Sequence, residues 1–523
     1  MSVPFLESYL AGQWTKGSGT ETELVDPVTG ASLATLSAKG IDFANALQFA
    51  REKGGAALRA MTFAERAKMI NAVADVLIAN RARYEAMAIA NSGNTKIDAA
   101  IDIDGGIGTL KYYSKIGAAL ADKRLLVDDK PVRLTKAENF QAMHVLVPRR
   151  GVAVHINAFN FPSWGLWEKA AVAFLAGVPC LVKPASATAL VSHAMVQDVI
   201  AAKVLPEGAL SLVCGGAGNL LDNLVTEDMI AFTGSSSTAK QIRNHPNVLA
   251  RGVRVNVEAD SLNAALLAPD AAPGNPSFDA FIKEVVREMT VKAGQKCTAI
   301  RRVFVPASQA DAATEALKAR LAKTTVGDPR RDDVRMGPVV TKAQQKTVLE
   351  DLKRLAAETS VVTGSVDAPS IDGIDPAKSA FVAPTLLRTK DATTSAVHDR
   401  EIFGPVATVI PYKDEAEAFR LVARGGGSLV ASVYSDDRAF MARAVAEMGS
   451  LHGRLLMVEP SIADGHSGHG IVMPQCLHGG PGHAGNGAEL AALNGLRFYH
   501  QKVAVQGSSD LLSQLQGQAS SLQ

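Results

Sequence analysis

One cysteine lies in a sequence context that favours nucleophilic chemistry. Cys297 follows Gly294-Gln295-Lys296, just past residues 278–292, whose apolar residues recur at helical spacing. A glycine-containing loop can expose a thiol, and a neighbouring lysine favours the thiolate, which is the reactive form. Taken alone this context is weak, because most cysteines of intracellular proteins are small buried hydrophobic residues. Cys297 is therefore a candidate nucleophile that needs partners.

Two other segments contain partners that a cysteine nucleophile would need. Glu258 ends an apolar strand-like run, where a partly buried carboxylate can act as a general base. Asn160 lies after another such run, within residues 156–162, and its side-chain amide could stabilise an oxyanion. Each residue also has an ordinary explanation, namely a solvated strand end for Glu258 and a turn for Asn160.

Two further turns contain residue types that suit a nucleotide. Lys183-Pro184-Ala185-Ser186 ends the next strand-like run, and its cation and hydroxyl point where a ribose could lie. Residues 232–238 pass from a strand to a helix through small residues, and N–H groups at such a helix start can hold a phosphate. Both turns could equally be solvated loops.

The elements around these residues alternate between strands and helices. Strand-like runs near residues 152–156, 180–182, 209–213 and 229–233 are separated by helical segments. This alternation predicts a parallel sheet with crossover helices, whose ligands bind at the carboxyl ends of the strands. A second α/β region begins near residue 255. The tail, residues 507–523, is rich in Ser and Gln and is predicted to be flexible.

The composition excludes several other classes of protein. The chain has 523 residues, 47% of them hydrophobic, and a net charge of +2, so neither nucleic acid nor an anionic membrane is an expected partner. Its four cysteines form neither a disulfide framework nor a CxxC zinc motif. The N-terminus lacks the pattern of a signal peptide, and the longest apolar run, residues 170–182, is too short to span a bilayer. We expect a cytoplasmic protein.

In this order, the segments resemble the aldehyde dehydrogenase superfamily. The motif NFP is followed by KPAS, FTGS, the strand-end Glu258, GQKCT and finally EIFGP at residues 401–405. The resemblance extends from Trp14 to residues 499–502 and so covers nearly the whole chain.

The resemblance implies an α/β aldehyde dehydrogenase fold with three parts. A Rossmann-like cofactor domain would comprise residues 1–132 and 151–260, and a second α/β catalytic domain residues 261–480. A small β oligomerisation arm would comprise residues 133–150 and 490–506. Because relatives assemble through this arm, the resemblance also implies a homodimer or homotetramer.

The resemblance assigns catalytic roles to five residues. Cys297 would attack the aldehyde carbon, and the side-chain amide of Asn160 with the N–H of Cys297 would stabilise the oxyanion. Glu258 would then activate the water that hydrolyses the acyl-enzyme. Lys169 and Glu489 match positions that relay protons or order water near Glu258.

The resemblance also assigns a nicotinamide cofactor, and Ser186 selects NADP in this prediction. Many NAD-preferring relatives have Glu at the position of Ser186, which would repel a 2′-phosphate, whereas Lys183 can pair with one. The expected cofactor contacts are Ile156, Asn157, Lys183, Ser186, Gly215, Gly234, Ser235, Thr238, Glu401 and Phe403.

Variant motifs indicate a subgroup of the family. EADSLNA, AGQKCTAIRR and LHGGPG resemble enzymes that oxidise CoA-bound semialdehydes formed after aromatic-ring opening, as in benzoate degradation. Two alternatives remain open, a CoA-acylating aldehyde dehydrogenase and a non-catalytic structural relative. The former typically lacks the glutamate base.

Residues 464–487 contain four histidines among many glycines: His466, His469, His478 and His483. Their number raises the question of a metal site, but the glycines favour a flexible loop that admits substrate or contacts CoA. We therefore predict no metal.

Overall fold

Two seven-stranded sheets organise residues 3–522, which are the residues that the computed structural model describes. Five neighbouring strands of the first sheet are parallel, and two N-terminal strands extend it in antiparallel fashion. In spatial order the strands of the first sheet are Arg254–Glu258, Met229–Thr233, Ala153–Ile156, Cys180–Lys183, Leu210–Leu212, Ser8–Leu10 and Gln13–Thr15.

Both faces of the first sheet are covered by helices. Cys180 and Val182 pack in one hydrophobic cluster and Leu181 in another, so the strand is apolar along its whole length. The helices that contribute to the first cluster are Phe63–Ala79, Arg81–Ser92, Lys96–Ala119, Trp164–Ala176 and Ala189–Ala201. Those that contribute to the second are Phe43–Phe49, Ser236–Arg243 and Pro246–Arg251.

The second sheet has the same layered plan. Its strands are parallel except for the first pair, and in spatial order they are Thr359–Thr363, Thr385–Thr389, Val406–Tyr412, Arg302–Pro306, Ala264–Leu267, Ser428–Tyr434 and His452–Val458. One face packs against Pro276–Thr290 and Ala310–Leu321. The other packs against Lys342–Glu358, Ala396–Asp399, Glu415–Ala423 and Arg438–Met448.

A five-stranded sheet contains strands from both segments that were expected to form the arm. His500–Ser508 pairs antiparallel with Phe140–Pro148 along nine residue pairs, from His500↔Pro148 to Ser508↔Phe140. Leu125–Val127 and Val132–Arg133 join the sheet, so it begins before residue 133.

The C-terminal tail is more ordered than the flexible segment expected. Residues Ser509–Gly517 form a helix, and Ala519–Ser521 pairs in parallel with Leu125–Val127. Leu512 is buried against Met143 and Val145, and this burial explains why a Ser- and Gln-rich sequence docks here.

The His/Gly-rich segment also contains regular structure instead of a flexible loop throughout. Leu477–Gly480 forms a hairpin with Gly487–Leu490. Another small sheet contains Phe5–Leu6, Ser32–Leu36 and Thr22–Val25. Short helical elements complete the chain: Ala50–Gly54, Gly55–Ala60, Ser186–Thr188, Leu220–Asn223, Val291–Gly294, Ala307–Gln309, Gly449–Leu451, Pro460–Ile462, Gly482–Ala484, Ala492–Gly495 and Leu496–Tyr499.

Several predicted elements match closely and others do not. The strand-like runs near residues 152–156, 180–182, 209–213 and 229–233 form the strands Ala153–Ile156, Cys180–Lys183, Leu210–Leu212 and Met229–Thr233. The helical spacing over residues 278–292 corresponds to a helix that lies two residues earlier, Pro276–Thr290. None of the helices in the described part of the chain is both long and apolar enough to cross a membrane.

The register of the first sheet places three predicted site residues, Ile156, Lys183 and Glu258, at one edge. Ile156 lies opposite Lys183, and Thr233 lies opposite Glu258, each pair at the carboxyl end of its strands. These positions follow from parallel pairing, which aligns the carboxyl ends of neighbouring strands.

Candidate active site

The loop that carries Cys297 has an unusual backbone. Lys292, Ala293 and Gly294 all have positive φ, at 53°, 51° and 68°. A Cβ at Gly294 would lie 2.2 Å from the carbonyl oxygen of Gly404, so glycine is required there. Arg301 fastens the same contact, because its guanidinium donates to the carbonyls of Gly294 at 2.9 Å and Gly404 at 2.8 Å.

Asn263 joins this loop to the segment that follows Glu258. Its buried side-chain amide donates to the carbonyl oxygens of Cys297 at 2.7 Å and Ala299 at 3.0 Å. Its side-chain oxygen accepts from Ser261 at 2.7 Å and from the N–H of Val430 at 3.1 Å. All the hydrogen-bonding groups of this amide therefore have partners. Because Asn263 lies only five residues after Glu258, its bonds hold the Cys297 loop against the segment that follows Glu258.

Cys297, Glu258 and Asn160 meet where two cavities join. We call the larger cavity, about 1170 Å³, the cofactor cleft, because most of the predicted cofactor residues line it, and the smaller, about 500 Å³, the substrate cavity. Both cavities are lined by Asn157, Ala158, Asn160, Thr233, Glu258 and Cys297. The structure therefore brings together a thiol, a carboxylate and an amide that are distant in sequence.

The nucleophile Cys297 and the base Glu258 have opposite pKa shifts. Burial and then the charge of Glu258 raise the pKa of Cys297 to about 12. Burial by itself would raise the pKa of Glu258, but the positive charges of His478 and Lys169 lower it to about 2. At neutral pH the pair is therefore a protonated thiol beside an ionised carboxylate.

A network of buried charges continues from Glu258. His478 Nε2 lies 3.2 Å from Glu258 Oε2, and its Nδ1 lies 3.5 Å from Glu168 Oε2. Lys169 Nζ lies 3.3 Å from Glu168 Oε1 and 3.0 Å from Glu489 Oε2. Glu489 also accepts from the side-chain amide of Asn256 at 3.0 Å. These contacts connect Lys169 and Glu489 to Glu258 through two residues that the sequence analysis did not assign.

The two ends of this network favour different protonation states. Burial disfavours the charge of Lys169, but Glu489 and Glu168 outweigh it and raise the lysine pKa. Burial raises the pKa of Glu489 against the opposing charge of Lys169. Lys169 is therefore held as a cation, whereas Glu489 is the carboxylate that takes up a proton more readily.

The cofactor cleft has polar atoms that are free to bind a ligand. The side-chain amide of Asn157 and the hydroxyl of Thr233 are buried and have no hydrogen-bond partner among residues 3–522. Lys183 also lines the cleft, where burial lowers its pKa. Unpaired buried polar groups are costly, so these atoms fit a polar ligand of nucleotide size.

Seven of the ten predicted cofactor residues line this cleft: Asn157, Lys183, Gly234, Ser235, Thr238, Glu401 and Phe403. Glu401 is held by Arg301 at 3.2 Å and by the N–H of Ser261 at 3.0 Å, and burial raises its pKa to about 7. The ring of Phe403 packs edge-on against Phe159.

Ile156, Ser186 and Gly215 are not among the residues that line the cleft. Ser186 directly follows Ala185, which does line it. Gly215 has a φ of 144°, and a Cβ there would lie 2.2 Å from the backbone nitrogen of Ala38. This contact gives Gly215 a packing reason to be glycine.

Sequence reasoning missed several residues of the site. Gln344 and Asp260 line the cofactor cleft, and Asp260 accepts from the N–H of Ser236 at 3.1 Å. His478 and Glu168 line the substrate cavity. Asp260 lies two residues after Glu258, which was a usable signal. His478 lies in the variant motif LHGGPG, but the motif gives no sign that its histidine lies beside Glu258.

The chain belongs to the aldehyde dehydrogenase family, whose model matches residues 14–499. It is 52% identical over 478 residues to the 3,4-dehydroadipyl-CoA semialdehyde dehydrogenase of Aromatoleum evansii, covering 91% of this chain and 93% of that protein. It is 27% identical over 436 residues to the non-phosphorylating aspartate-semialdehyde dehydrogenase of Halomonas elongata, covering 82% of this chain and 83% of that protein.

Solved structures share the fold. Betaine aldehyde dehydrogenase from Staphylococcus aureus, in complex with NAD⁺, matches with a TM-score of 0.82 at 23% identity, over 96% of this chain and 94% of that chain. A 3,6-anhydro-L-galactose dehydrogenase matches with a TM-score of 0.83 at 22% identity, over 96% of this chain and 100% of that one. The predicted family and fold are confirmed.

The Asn263→Asp variant tests whether Asn263 positions the nucleophile. The change removes two donors while keeping the shape, and it turns a carboxylate toward the carbonyls of Cys297 and Ala299. We expect a loss of about 2 kcal/mol or more in the free energy of unfolding, and a fall in kcat beyond what stability explains. Thermal unfolding and steady-state kinetics measure both quantities.

Asn247→Asp is the matched control. Asn247 also donates to two backbone carbonyls, those of Leu221 and Leu224, but it lines neither cavity. We expect this variant to lose stability and keep its kcat. Equal kcat values for the two variants would show that Asn263 has no role in positioning Cys297.

Proposed function

We propose that this protein oxidises a CoA-bound semialdehyde to the corresponding carboxylic acid with NADP, by way of a thioester on Cys297. The observation that carries the proposal is the meeting of Cys297, Glu258 and Asn160 at the junction of the cofactor cleft and the substrate cavity. A reacting carbon at this junction would contact the thiol from one cavity and a cofactor from the other.

The first half-reaction forms the thioester. The sulfur of Cys297 attacks the aldehyde carbon, and the carbonyl electron pair moves to oxygen. The Asn160 amide and the N–H of Cys297 stabilise that oxyanion, and loss of one such donor costs about 2.7–4 kcal/mol of barrier. A nicotinamide dinucleotide bound in the cleft would accept the hydride that leaves the former aldehyde carbon as the oxyanion electron pair re-forms the carbonyl. The residues expected to hold it are those that line the cleft, including Lys183, Glu401 and Phe403.

The second half-reaction hydrolyses the thioester. Oε1 of Glu258 is buried without a hydrogen-bond partner among the described residues, so it is free to accept a proton from a water molecule. Glu258 is ionised at neutral pH, because the positive charges of His478 and Lys169 lower its pKa, so it can accept a proton. Lys169 and Glu489 are proposed to order water and relay the proton onward, consistent with the raised pKa of Glu489.

Two features support the cofactor and the substrate. Ser186 is uncharged and follows Ala185 in the cleft wall, with Lys183 nearby as a cation for a 2′-phosphate. The name of the Aromatoleum evansii relative gives a CoA semialdehyde as its substrate, and 52% identity supports a similar substrate here. The proposed place in benzoate degradation rests on the variant motifs of the sequence. Glu258 argues against the CoA-acylating alternative, and the assembled site argues against a non-catalytic relative.

Glu258→Gln separates the two half-reactions. If Glu258 activates water, the variant forms roughly one NADPH per site in a burst and then stalls at the thioester. Rapid-mixing absorbance of NADPH measures the burst. Cys297→Ala should abolish both phases, and Glu447→Gln, an exposed glutamate, should change neither.

A missing burst in Glu258→Gln would show that Glu258 also acts before hydride transfer. Retained turnover in Cys297→Ala would overturn the proposed nucleophile altogether.

Ser186→Glu tests the cofactor preference. The new carboxylate would accept hydrogen bonds from a 2′-hydroxyl and repel a 2′-phosphate, so the ratio of kcat/KM for NADP to that for NAD should fall at least about tenfold. The comparison requires both cofactors with both proteins. A preference for NAD in the unaltered protein would contradict the assignment.

The substrate class is tested by comparing CoA-bound semialdehydes with free aldehydes of the same carbon skeleton. We expect a higher kcat/KM for the CoA-bound form. In the product, the former aldehyde carbon should be a free carboxylate. Equal values would remove CoA from the proposal, and a second thioester at the oxidised carbon would favour the CoA-acylating alternative.

A further inference from the structure

His478 occupies the centre of the buried charge network. A ring nitrogen of His478, the sulfur of Cys297 and a carboxylate oxygen of Glu258 all lie within 4.8 Å of one another. The other ring nitrogen faces Glu168 at 3.5 Å. His478 also lines the substrate cavity beside Cys297, so its imidazole adjoins the reacting atoms.

The hairpin that carries His478 is packed too tightly to move freely. His478 pairs with Glu489 across the hairpin. The next residue, Gly479, has a φ of 144°, and a Cβ there would lie 2.0 Å from the carbonyl oxygen of Gly487. Gly480 is equally constrained, because a Cβ there would lie 2.4 Å from the carbonyl oxygen of Ser428. The imidazole is therefore held between two carboxylates by backbone packing.

The charges of the network come closest to balance if His478 is a cation. Three buried carboxylates, those of Glu168, Glu258 and Glu489, face one lysine, Lys169. Lys169 forms its ion pairs with Glu168 and Glu489. Among the described residues, the ion pair of Glu258 is with His478.

We propose that His478 is a further catalytic residue of this dehydrogenase, whose imidazolium stabilises the Cys297 thiolate while Glu258 remains ionised. This inference rests on the proposed role of Cys297 as nucleophile. Without a cation at this position, ionising the thiol would place a second negative charge beside Glu258 in a buried site.

The proton balance of the step is simple. Cys297 loses its thiol proton to solvent, and His478 keeps its own proton throughout. The sulfur electron pair then forms the bond to the aldehyde carbon, and the carbonyl π pair moves to oxygen. His478 therefore acts by charge, and Glu258 is still free to take a proton from water in the hydrolysis step.

The pKa directions agree with this geometry. Burial would lower the pKa of His478, yet Glu258 and then Glu168 raise it well above its usual value. For Cys297, burial and Glu258 raise the pKa, and His478 opposes them. Arg454 is a further cation that interacts with the Cys297 thiolate, but it lines neither cavity.

The test measures the ionisation of Cys297 directly. Iodoacetamide is allowed to react with the cofactor-free protein from pH 6 to pH 10, and the rate at the Cys297 peptide is followed by mass spectrometry, which separates it from the exposed Cys476. In His478→Gln, a neutral variant, we expect the pKa of Cys297 to rise by one unit or more, which lowers the thiolate fraction and the reaction rate throughout this pH range. At pH 8 the rate should then fall about tenfold or more.

His245→Gln is the matched control, because His245 also pairs with a carboxylate, Asp222 at 3.4 Å, but near the surface. It should leave the pH profile of Cys297 unchanged. Thermal unfolding of both variants establishes that they are folded. If His478→Gln does not fold, the same titration is performed on His478→Lys, which restores a cation and should keep the apparent pKa within half a unit, on the order of a threefold change in rate.

The outcomes separate this inference from the proposed function. An unchanged pH profile in folded His478→Gln, or a raised pKa in folded His478→Lys, would overturn the role of His478. Those results would leave Cys297 as nucleophile, provided that Cys297→Ala is inactive. Full turnover in Cys297→Ala would instead overturn the proposed function on which the inference rests.

Discussion

The site depends on one buried amide, that of Asn263, which joins segments of the two seven-stranded sheets. Glu258 belongs to the first sheet, whereas Cys297 precedes a strand of the second, and nothing in either sheet by itself sets their separation. Asn263 sets it by donating to the carbonyl of Cys297 a few residues after Glu258. Arg301 adds a second constraint at the other end of the loop. The reactivity of Cys297 therefore depends on hydrogen bonds between protein groups that do not contact the substrate.

A buried site of this kind must also balance its charges. A thiol, a base and two further carboxylates lie together in a buried site, where an unpaired charge is energetically unfavourable. Two cations lie between the carboxylates. Lys169 pairs with Glu168 and Glu489, and His478 lies between Glu168 and Glu258. Alternation allows the base to stay ionised beside a nucleophile that is a neutral thiol at neutral pH.

The sequence was most informative where a motif lies at the end of a single parallel strand. Glu258 and Lys183 could be predicted because parallel strands present their carboxyl ends at a common edge. His478 could not, because it reaches the site through a glycine-rich hairpin whose packing is a tertiary property. The order of the tail could not be predicted for a similar reason, since a Ser- and Gln-rich sequence does not indicate that Leu512 is buried.

The most direct test of the account is to trap the covalent intermediate. The protein is mixed with NADP and a CoA-bound semialdehyde, quenched in acid within one turnover, and digested for peptide mass spectrometry. The account predicts an acyl group on the peptide that contains Cys297, in an amount matching the NADPH formed. NADPH formation with no acyl group on Cys297, or with one on another cysteine, would contradict it.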